Sequence, residues 1–117
     1  MKYLCLIYED ESFWPALAPD AASKMMADYG ALTADLKRTE HYVAGGQLQP
    51  SDTATTVRVR NGKMLSTDGP FVETKEQLSG YYLVEARDLN EALAIGARIP
   101  SAGHGVVEVR PLVERTI

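Results

Sequence analysis

Residues 66–100 read STDGPFVETKEQLSGYYLVEARDLNEALAIGARIP, and this stretch decides the predicted fold. It contains the apolar run LSGYYLVEA (78–86), which is typical of a strand that is largely shielded from water. A helix is predicted directly after this run, because Asp88 and Glu91 have the spacing of a capping box and Pro100 ends the helix. A strand followed at once by a helix indicates a fold in which helices pack on a sheet. The apolar face of this helix is predicted to contain Leu89, Ala92, Leu93 and Ala97.

The N-terminal part of the chain contains a second unit of strand, helix and strand. KYLCLIY (2–8) is a short apolar run bounded by acids, which favours a buried strand. Residues 20–38 are predicted as a helix with Asp20 as its N-cap. HYVAGGQLQP (41–50) is predicted as a strand in which two consecutive glycines indicate a bulge or a close approach of the backbone. The apolar stripe of the helix contains Met25, Tyr29, Leu32 and Leu36.

A hairpin is predicted between the two units. In TTVRVRNGKMLST (55–67), valines alternate with Arg58 and Arg60, and Asn61-Gly62 follows them. Asn-Gly readily adopts the two positive φ values of a type I′ turn, so the pattern predicts a β-hairpin with both arginines on its wetter face. The alternating run GVVEVRPL (105–112) is predicted as the last strand.

These elements define one domain over residues 1–117, in the order β-α-β, hairpin, β-α-β. The predicted fold class is α+β, a ferredoxin-like split βαβ sandwich with an inserted β-hairpin. Two helices on one face leave the other face of the sheet bare, since Tyr3, Leu83 and Val107 cannot all lie beneath them. A homodimer through the sheet face is the simplest cover, because a two-fold interface uses one patch twice.

Composition and charge argue against several classes of function. The net charge of −4 and the pI of about 5.1 disfavour a nucleic-acid partner. No apolar run approaches the ~18 residues of a membrane helix, and Cys5 is the only cysteine, which favours the cytoplasm. His41 and His104 are 63 positions apart, and no Cys/His cluster has metal-ligand spacing. Neither a metal nor another cofactor is therefore expected.

The segment Asp68-Gly69-Pro70-Phe71 begins a nine-position motif, D-G-P-F-x-E-x-K-E, which ends at Glu76. Essentially the whole chain resembles the DGPF-domain proteins of the YCII-related superfamily. The resemblance is carried by this motif together with the runs MKYLCLIYEDE, GGQLQPSDTATTVRVRNGK and GVVEVRP. The resemblance implies a dimeric α/β-barrel fold in the bacterial cytoplasm. Relatives of that fold include isomerases, mono-oxygenases and a dehydrochlorinase of aromatic catabolism. Some family members are encoded beside extracytoplasmic-function sigma factors.

The chain departs from this resemblance in one respect. In the YCII-like branch, a histidine on the first helix pairs with an aspartate as the proposed catalytic pair. The predicted first helix (20–38) contains no histidine, so that pair is not carried over. His104, between two glycines, is predicted to be a loop residue rather than a general base. A haem enzyme is disfavoured, because no axial histidine is evident on a helix facing the sheet.

The charged motif has two interpretations. In the first, residues 68–71 form a structural clasp in which Asp68 accepts backbone N–H bonds and Phe71 is anchored in the core. In the second, Asp68, Glu73 and Lys75 line a cleft beside the hairpin and act as catalytic residues, because a carboxylate beside a lysine can be tuned for proton transfer. The predicted ligand-binding residues are Tyr8, Arg58, Phe71, Glu76 and Tyr81.

The favoured function is a small cytoplasmic homodimer that binds a small anionic or aromatic molecule in a cleft near the motif. Its enzymatic form is a cofactor-independent lyase or isomerase that moves a proton with a carboxylate. The alternative is a non-catalytic regulatory or protein-interaction module with a protein partner, for example an extracytoplasmic-function sigma factor.

Overall fold

The computed structural model describes residues 1–114, in which strands and helices follow the predicted order with a short helix added. The strands are β1 (Lys2–Asp10), β2 (Tyr42–Gln47), β3 (Thr55–Arg60), β4 (Lys63–Asp68), β5 (Glu76–Glu85) and β6 (Val106–Pro111). The helices are α1 (Phe13–Ala16), α2 (Pro19–Arg38) and α3 (Leu89–Ala97), and 3₁₀ turns lie at Ser51–Thr53 and Pro100–Gly103. No helix within residues 1–114 is long and apolar enough to cross a membrane.

Four strands form the main sheet in the order β2-β5-β1-β6, and every neighbouring pair is antiparallel. β3 and β4 form a separate two-stranded sheet. The two central strands are the first strands of the two βαβ units, which is the arrangement of a ferredoxin-like split βαβ sandwich. The predicted α+β fold with an inserted hairpin is therefore confirmed.

The hydrophobic core lies between one face of the main sheet and the helices α2 and α3. Along β1, the side chains of Tyr3, Cys5 and Ile7 are buried in this core, and β5 contributes Tyr82 and Val84. Burial raises the pKa of the Cys5 thiol to about 11, so this thiol stays protonated and behaves as a small apolar side chain.

The opposite face of the main sheet, here called the outer face, is apolar on the two central strands and carries the charged residues Glu108 and Arg110 on β6. Leu4 and Leu6 of β1 and Leu83 of β5 alternate with the core residues and are partly exposed. Leu4 lies directly opposite Leu83 in the β1–β5 register, so the outer face carries a continuous apolar strip.

Helix α2 begins one residue earlier than predicted. Ala18 occupies the N-cap position and Pro19 the first helical position, where its missing N–H costs nothing. The prediction of Asp20 as N-cap was therefore wrong. Its carboxylate still lies in the first turn, where the negative charge interacts favourably with the helix dipole. Of the predicted apolar stripe, Leu32 and Leu36 are buried and the two residues nearer the N-terminus are partly buried.

Helix α3 has the predicted cap but a rotated apolar face. The carboxylate of Asp88 accepts the N–H of Glu91 at 2.9 Å, which confirms the capping interaction. The helix buries Ala92 and Gly96, whereas Leu89 and Leu93, predicted to face the core, are 49% and 48% exposed. A Cβ atom on the glycine would lie 3.0 Å from a methyl carbon of β6, so the helix approaches the sheet most closely where it has no side chain. Ala97, also predicted to face the core, is exposed as well. The predicted apolar face was therefore wrong by part of a helical turn.

The inserted hairpin has the predicted turn. Asn61 and Gly62 have φ values of 51° and 74°, as a type I′ turn requires. The strands pair in register from Thr55 opposite Asp68 at the root to Arg60 opposite Lys63 at the tip. Residues 55–68 are here called the arm.

The segment after the arm is only partly the clasp that was predicted. Gly69 has a φ of 103°, and its N–H donates to the carbonyl oxygen of Ala54 at 2.7 Å, which closes the root of the arm. Phe71 is 76% exposed, so the expectation that it anchors the segment in the core was wrong. Its ring instead lies beneath the guanidinium of Arg58, 5.5 Å from the ring centroid.

Candidate functional site

A cavity of about 250 Å³ lies on the helical side of the sheet, between α2 and strands β1, β2 and β5. Its walls are largely aromatic and include Trp14, Tyr29, Tyr42 and Tyr82. Predicted ligand-binding residue Tyr81 also belongs to the lining. Cavities of this kind, with apolar walls and a few polar groups, are typical of small-molecule sites.

Backbone without side chains forms the edge of the cavity where β2 meets β5. Gly45, Gly46 and Gly80 all belong to the lining. A Cβ atom on Gly80 would lie 2.8 Å from the carbonyl oxygen of Gly46, which is too close for any other residue to fit without displacing the strands. The close backbone approach predicted for the two glycines is therefore present, whereas the register shift of the β2–β5 pair lies before them, between Tyr42 and Ala44.

The carboxylate of Glu9 is the charged group in the cavity lining. Glu9 is the last inward-facing residue of β1 and only 6% exposed. The indole N–H of Trp14 donates to one carboxylate oxygen at 3.0 Å, and Nε2 of His104 lies 2.7 Å from the other. A buried carboxylate that is bonded through both oxygens is held in one orientation.

The surroundings of Glu9 keep it ionised. Burial alone would raise the pKa of its carboxyl group. Hydrogen bonds from His104, Trp14, Ser101 and Ser79 act in the opposite direction and outweigh burial, so the pKa lies below its ordinary value. At neutral pH the cavity therefore contains a fixed negative charge next to an imidazole.

His104 is clamped in place from two sides. Its ring stacks on Phe13 with centroids 3.4 Å apart and planes 8° apart. The next residue, Gly105, runs so close to β1 that an added Cβ atom would lie 2.3 Å from the carbonyl oxygen of Tyr8. His104 is the loop residue that was predicted, but the sequence analysis missed its pairing with Glu9.

Two tyrosine hydroxyl groups are fixed by hydrogen bonds in the cavity wall. The hydroxyl of Tyr29 is bonded to that of Ser101, and the hydroxyl of Tyr82 lies 2.7 Å from that of Thr33. Burial raises the pKa of both phenols, so they are neutral hydrogen-bonding groups at physiological pH.

An open depression on the other side of the Glu9–His104 pair, here called the outer depression, brings several predicted residues together. Tyr8, Lys75 and Glu76 line it, and His104 of the pair belongs to the same lining. Asp10, Thr74 and Val106 complete its lining. The pair thus connects the aromatic cavity with a depression that is open to solvent.

The predicted catalytic residues of the motif are not gathered in one place. Asp68 and Glu73 line a third, shallow depression together with Glu11 and Asp52, here called the acidic depression. Lys75 lines the outer depression instead. All three predicted catalytic residues are exposed. Their roles stay predictions.

Two sequence signals could have indicated the Glu9–His104 pair. Glu9 continues the two-residue alternation of buried positions in β1, which places its charge on the core side. His104 stands directly before β6, the strand that pairs with β1. Within residues 1–114, no cluster of three or more His, Cys, Asp or Glu side chains is arranged to hold a metal ion.

Comparison with known sequences identifies the family. The sequence model of the YCII-related domain matches residues 1–116, so the chain belongs to the YCII-related domain family. It is 36% identical over 114 residues to the uncharacterized protein R00369 of Rhizobium meliloti (strain 1021), covering 96% of this chain and 92% of that protein.

A solved structure shares the fold. It is the 5-chloro-2-hydroxyhydroquinone dehydrochlorinase of Burkholderia phenoliruptrix AC1100 in complex with 2,5-dihydroxybenzoquinone. The TM-score is 0.56 at 16% sequence identity, and the match covers 97% of this chain and 94% of that one.

Proposed function

We propose that this YCII-related protein binds a small single-ring compound in the aromatic cavity and moves a proton on it with Glu9, which His104 orients. The buried Glu9 carboxylate carries this proposal, because it lines the cavity and is bonded to a histidine that reaches the outer depression. Ionised carboxylates are rarely buried unless a function or a partner requires them.

The size and walls of the cavity support a ring-shaped ligand. A volume of about 250 Å³ lies just below the ~300–1,000 Å³ of typical ligand pockets, which favours a molecule of one ring. Aromatic side chains such as Trp14 and Tyr82 favour stacking on a planar ring. The dehydrochlorinase of similar fold was solved with 2,5-dihydroxybenzoquinone, which is also a single-ring molecule.

The proposed chemistry is a cofactor-independent lyase or isomerase step. The Glu9 carboxylate accepts a proton from a carbon or hydroxyl group of the bound ring, and the electron pair stays on the ligand. His104 donates its Nε2–H to the carboxylate and holds it in one orientation. Glu9 then returns the proton to another atom of the ligand or to its leaving group, so the carboxylate is ionised again for the next cycle.

Homodimerisation through the outer face and a cytoplasmic location belong to the same proposal. The strip of Leu4, Leu6 and Leu83 is partly exposed in the single chain, and it supports the dimer because a second copy would cover it. The single, buried and reduced Cys5 supports a reducing compartment.

The test is a thermal-shift screen of hydroxylated benzoic acids, hydroquinones and benzoquinones against the wild type and Glu9→Gln. We expect a compound that stabilises the wild type and stabilises Glu9→Gln at least tenfold more weakly, as judged by its apparent Kd. Asp10→Asn is the matched control, because Asp10 is the next residue but lines the outer depression. Equal stabilisation of wild type and Glu9→Gln by every compound would overturn the cavity as the site.

A second assay separates binding from proton transfer. The bound compound is incubated in D₂O, and deuterium entry at its acidic position is followed by NMR. We expect exchange with the wild type, binding without exchange with His104→Gln, and neither with Glu9→Gln. If Lys75→Ala abolishes binding while Glu9→Gln does not, the ligand site is the outer depression predicted from the motif.

The non-catalytic alternative makes a different prediction in the same screen. A regulatory or protein-interaction module needs no ligand, so no compound would stabilise the wild type. The exposed apolar residues of the arm favour this interaction role.

A further inference from the structure

The charge inside the aromatic cavity comes from one side chain. Among the described residues that line the cavity, Glu9 is the one that is charged at neutral pH, since the lining contains no lysine, arginine or histidine. Neither of its two bonded partners places a cation there, because Trp14 is neutral and His104 lines the outer depression instead. A ligand in the cavity therefore meets a negative charge with no positive charge beside it.

The structural features that usually hold anions are directed elsewhere. A helix N-terminus is one such feature, but α2 contributes Met26, Tyr29 and Thr33 to the lining, and these residues lie past its first turn. The ammonium group of Lys37 lies 5.0 Å from the centroid of the Tyr42 ring, but Lys37 is exposed and outside the lining. Solvent and salt screen a surface cation of this kind. The Glu9 charge is therefore not balanced for a ligand that enters.

Enclosure strengthens the effect of this charge. Glu9 and the neighbouring lining residues Ile7 and Tyr82 are at most 6% exposed. Charges interact several times more strongly in such surroundings than in bulk water. A one-ring ligand that fills about 250 Å³ has no room to hold an ionised substituent far from Glu9. A second negative charge in the cavity is therefore strongly unfavourable.

The other polar groups of the lining suit hydroxyl substituents. The hydroxyl groups of Thr33 and Tyr82 are bonded to each other at 2.7 Å, and the Gln47 amide and the Ser79 hydroxyl also belong to the lining. Hydroxyl and amide groups both donate and accept hydrogen bonds, so they can pair with a ligand hydroxyl in either role. These groups are neutral, and they offer an ionised carboxylate nothing of opposite charge.

We infer that the aromatic cavity accepts hydroxylated rings that carry no charge and excludes rings that carry a carboxylate, sulfonate or phosphate group. The inference rests on the proposed function, because it names the ligand class of the same cavity. Of the two ligand properties predicted from the sequence, anionic and aromatic, the cavity favours only the second. Glu9 then has two roles, since it accepts the proton and also discriminates between ligands by their charge.

The single tryptophan of the chain provides a direct readout. Trp14 lines the cavity and its indole N–H donates to Glu9, so the one indole N–H signal of a ¹⁵N-labelled sample reports whether the cavity is occupied. The probes are hydroquinone, 4-hydroxybenzamide and 4-hydroxybenzoate, of which the last two have nearly the same size and differ in charge. We expect the two neutral compounds to shift the signal with apparent Kd values at least tenfold lower than that of 4-hydroxybenzoate.

Substitution of Glu9 tests the cause of this preference. Glu9→Gln should weaken binding of the neutral compounds and strengthen binding of 4-hydroxybenzoate, so that the tenfold preference falls below about twofold. The control, Glu40→Gln, makes the same chemical change at an exposed position outside the lining and should keep the preference. A preference that survives in Glu9→Gln would overturn the inference, because the carboxylate would not be its cause.

The wild type alone separates failure of the inference from failure of the proposed function. If 4-hydroxybenzoate binds as tightly as 4-hydroxybenzamide, the charge selection is overturned while the cavity remains the ligand site. If none of the three compounds shifts the indole signal, the inference is overturned, and the wider screen of ring compounds decides the proposed function separately.

Discussion

At the scale of the residue, Glu9 unites the features on which the proposed function depends. Its side chain is buried, ionised and bonded to residues from α1 and from the loop before β6. Such a group costs free energy when its partners are removed, because a buried charge is then left without hydrogen bonds. Its effect on stability should therefore depend on pH in a defined direction.

We predict that Glu9→Gln lowers the free energy of unfolding by about 1–3 kcal/mol at pH 7. Because the pKa of Glu9 is lower in the folded protein than its ordinary value of 4.5, ionisation favours folding. This stabilisation is fully present above pH 4.5 and is lost as the pH falls through the folded pKa. Urea unfolding at pH 7, 5 and 3 should show the difference between wild type and variant shrinking towards acid. A difference that is constant with pH would contradict the role assigned to the charge.

Gly105 is the residue that fixes the position of His104, and it allows a sharp comparison. We predict that Gly105→Ala lowers stability by about 1–3 kcal/mol, because the new Cβ atom would lie 2.3 Å from a backbone oxygen of β1. Gly103→Ala is the control, since a Cβ atom there meets nothing within 4 Å. Its free energy of unfolding should stay within about 0.5 kcal/mol of the wild type in the same urea titration. Equal losses for both variants would show that the approach to β1 is not the constraint.

At the scale of the element, local periodicity predicted strands and helices well and helix faces less well. The arm was predicted nearly to the residue, because alternation and the Asn-Gly turn are local signals. The face of α3 was not, because Leu93 fits a helical period as well as Ile95 does. The choice between them depends on which side of the helix lacks bulk, and Gly96 decides it only once β6 is present.

Truncation at these two positions measures the rotation of α3. We predict that Ile95→Ala costs about 2–4 kcal/mol, since Ile95 is 4% exposed in the core. Leu93→Ala removes a side chain of equal size from a half-exposed position and should cost less than about 1 kcal/mol. Thermal and urea unfolding would both report the difference. If Leu93→Ala proved the more costly variant, the face predicted from sequence would be the correct one.

At the scale of the whole molecule, the candidate site could not be read from the sequence because its parts are far apart along the chain. Glu9 and His104 are separated by 95 residues and meet only because β6 pairs with β1. The motif residues give the opposite case, since Asp68 and Lys75 are close in sequence but line different depressions. The positive φ of Gly69 and the irregular segment that follows it redirect the chain between them.

Assembly is the remaining property of the whole molecule, and the proposed interface on the outer face can be tested by substitution. We predict that Leu6→Lys, on the outer face, strongly weakens the proposed dimer, because it buries a charge in the apolar strip shared with Leu4 and Leu83. Leu93→Lys is the control, as it places the same side chain on an exposed part of α3. Light scattering coupled to gel filtration should show the first variant shifted towards monomer and the second unchanged. If Leu6→Lys elutes at the same mass as a dimeric wild type, the outer face is not the surface that holds the two copies together.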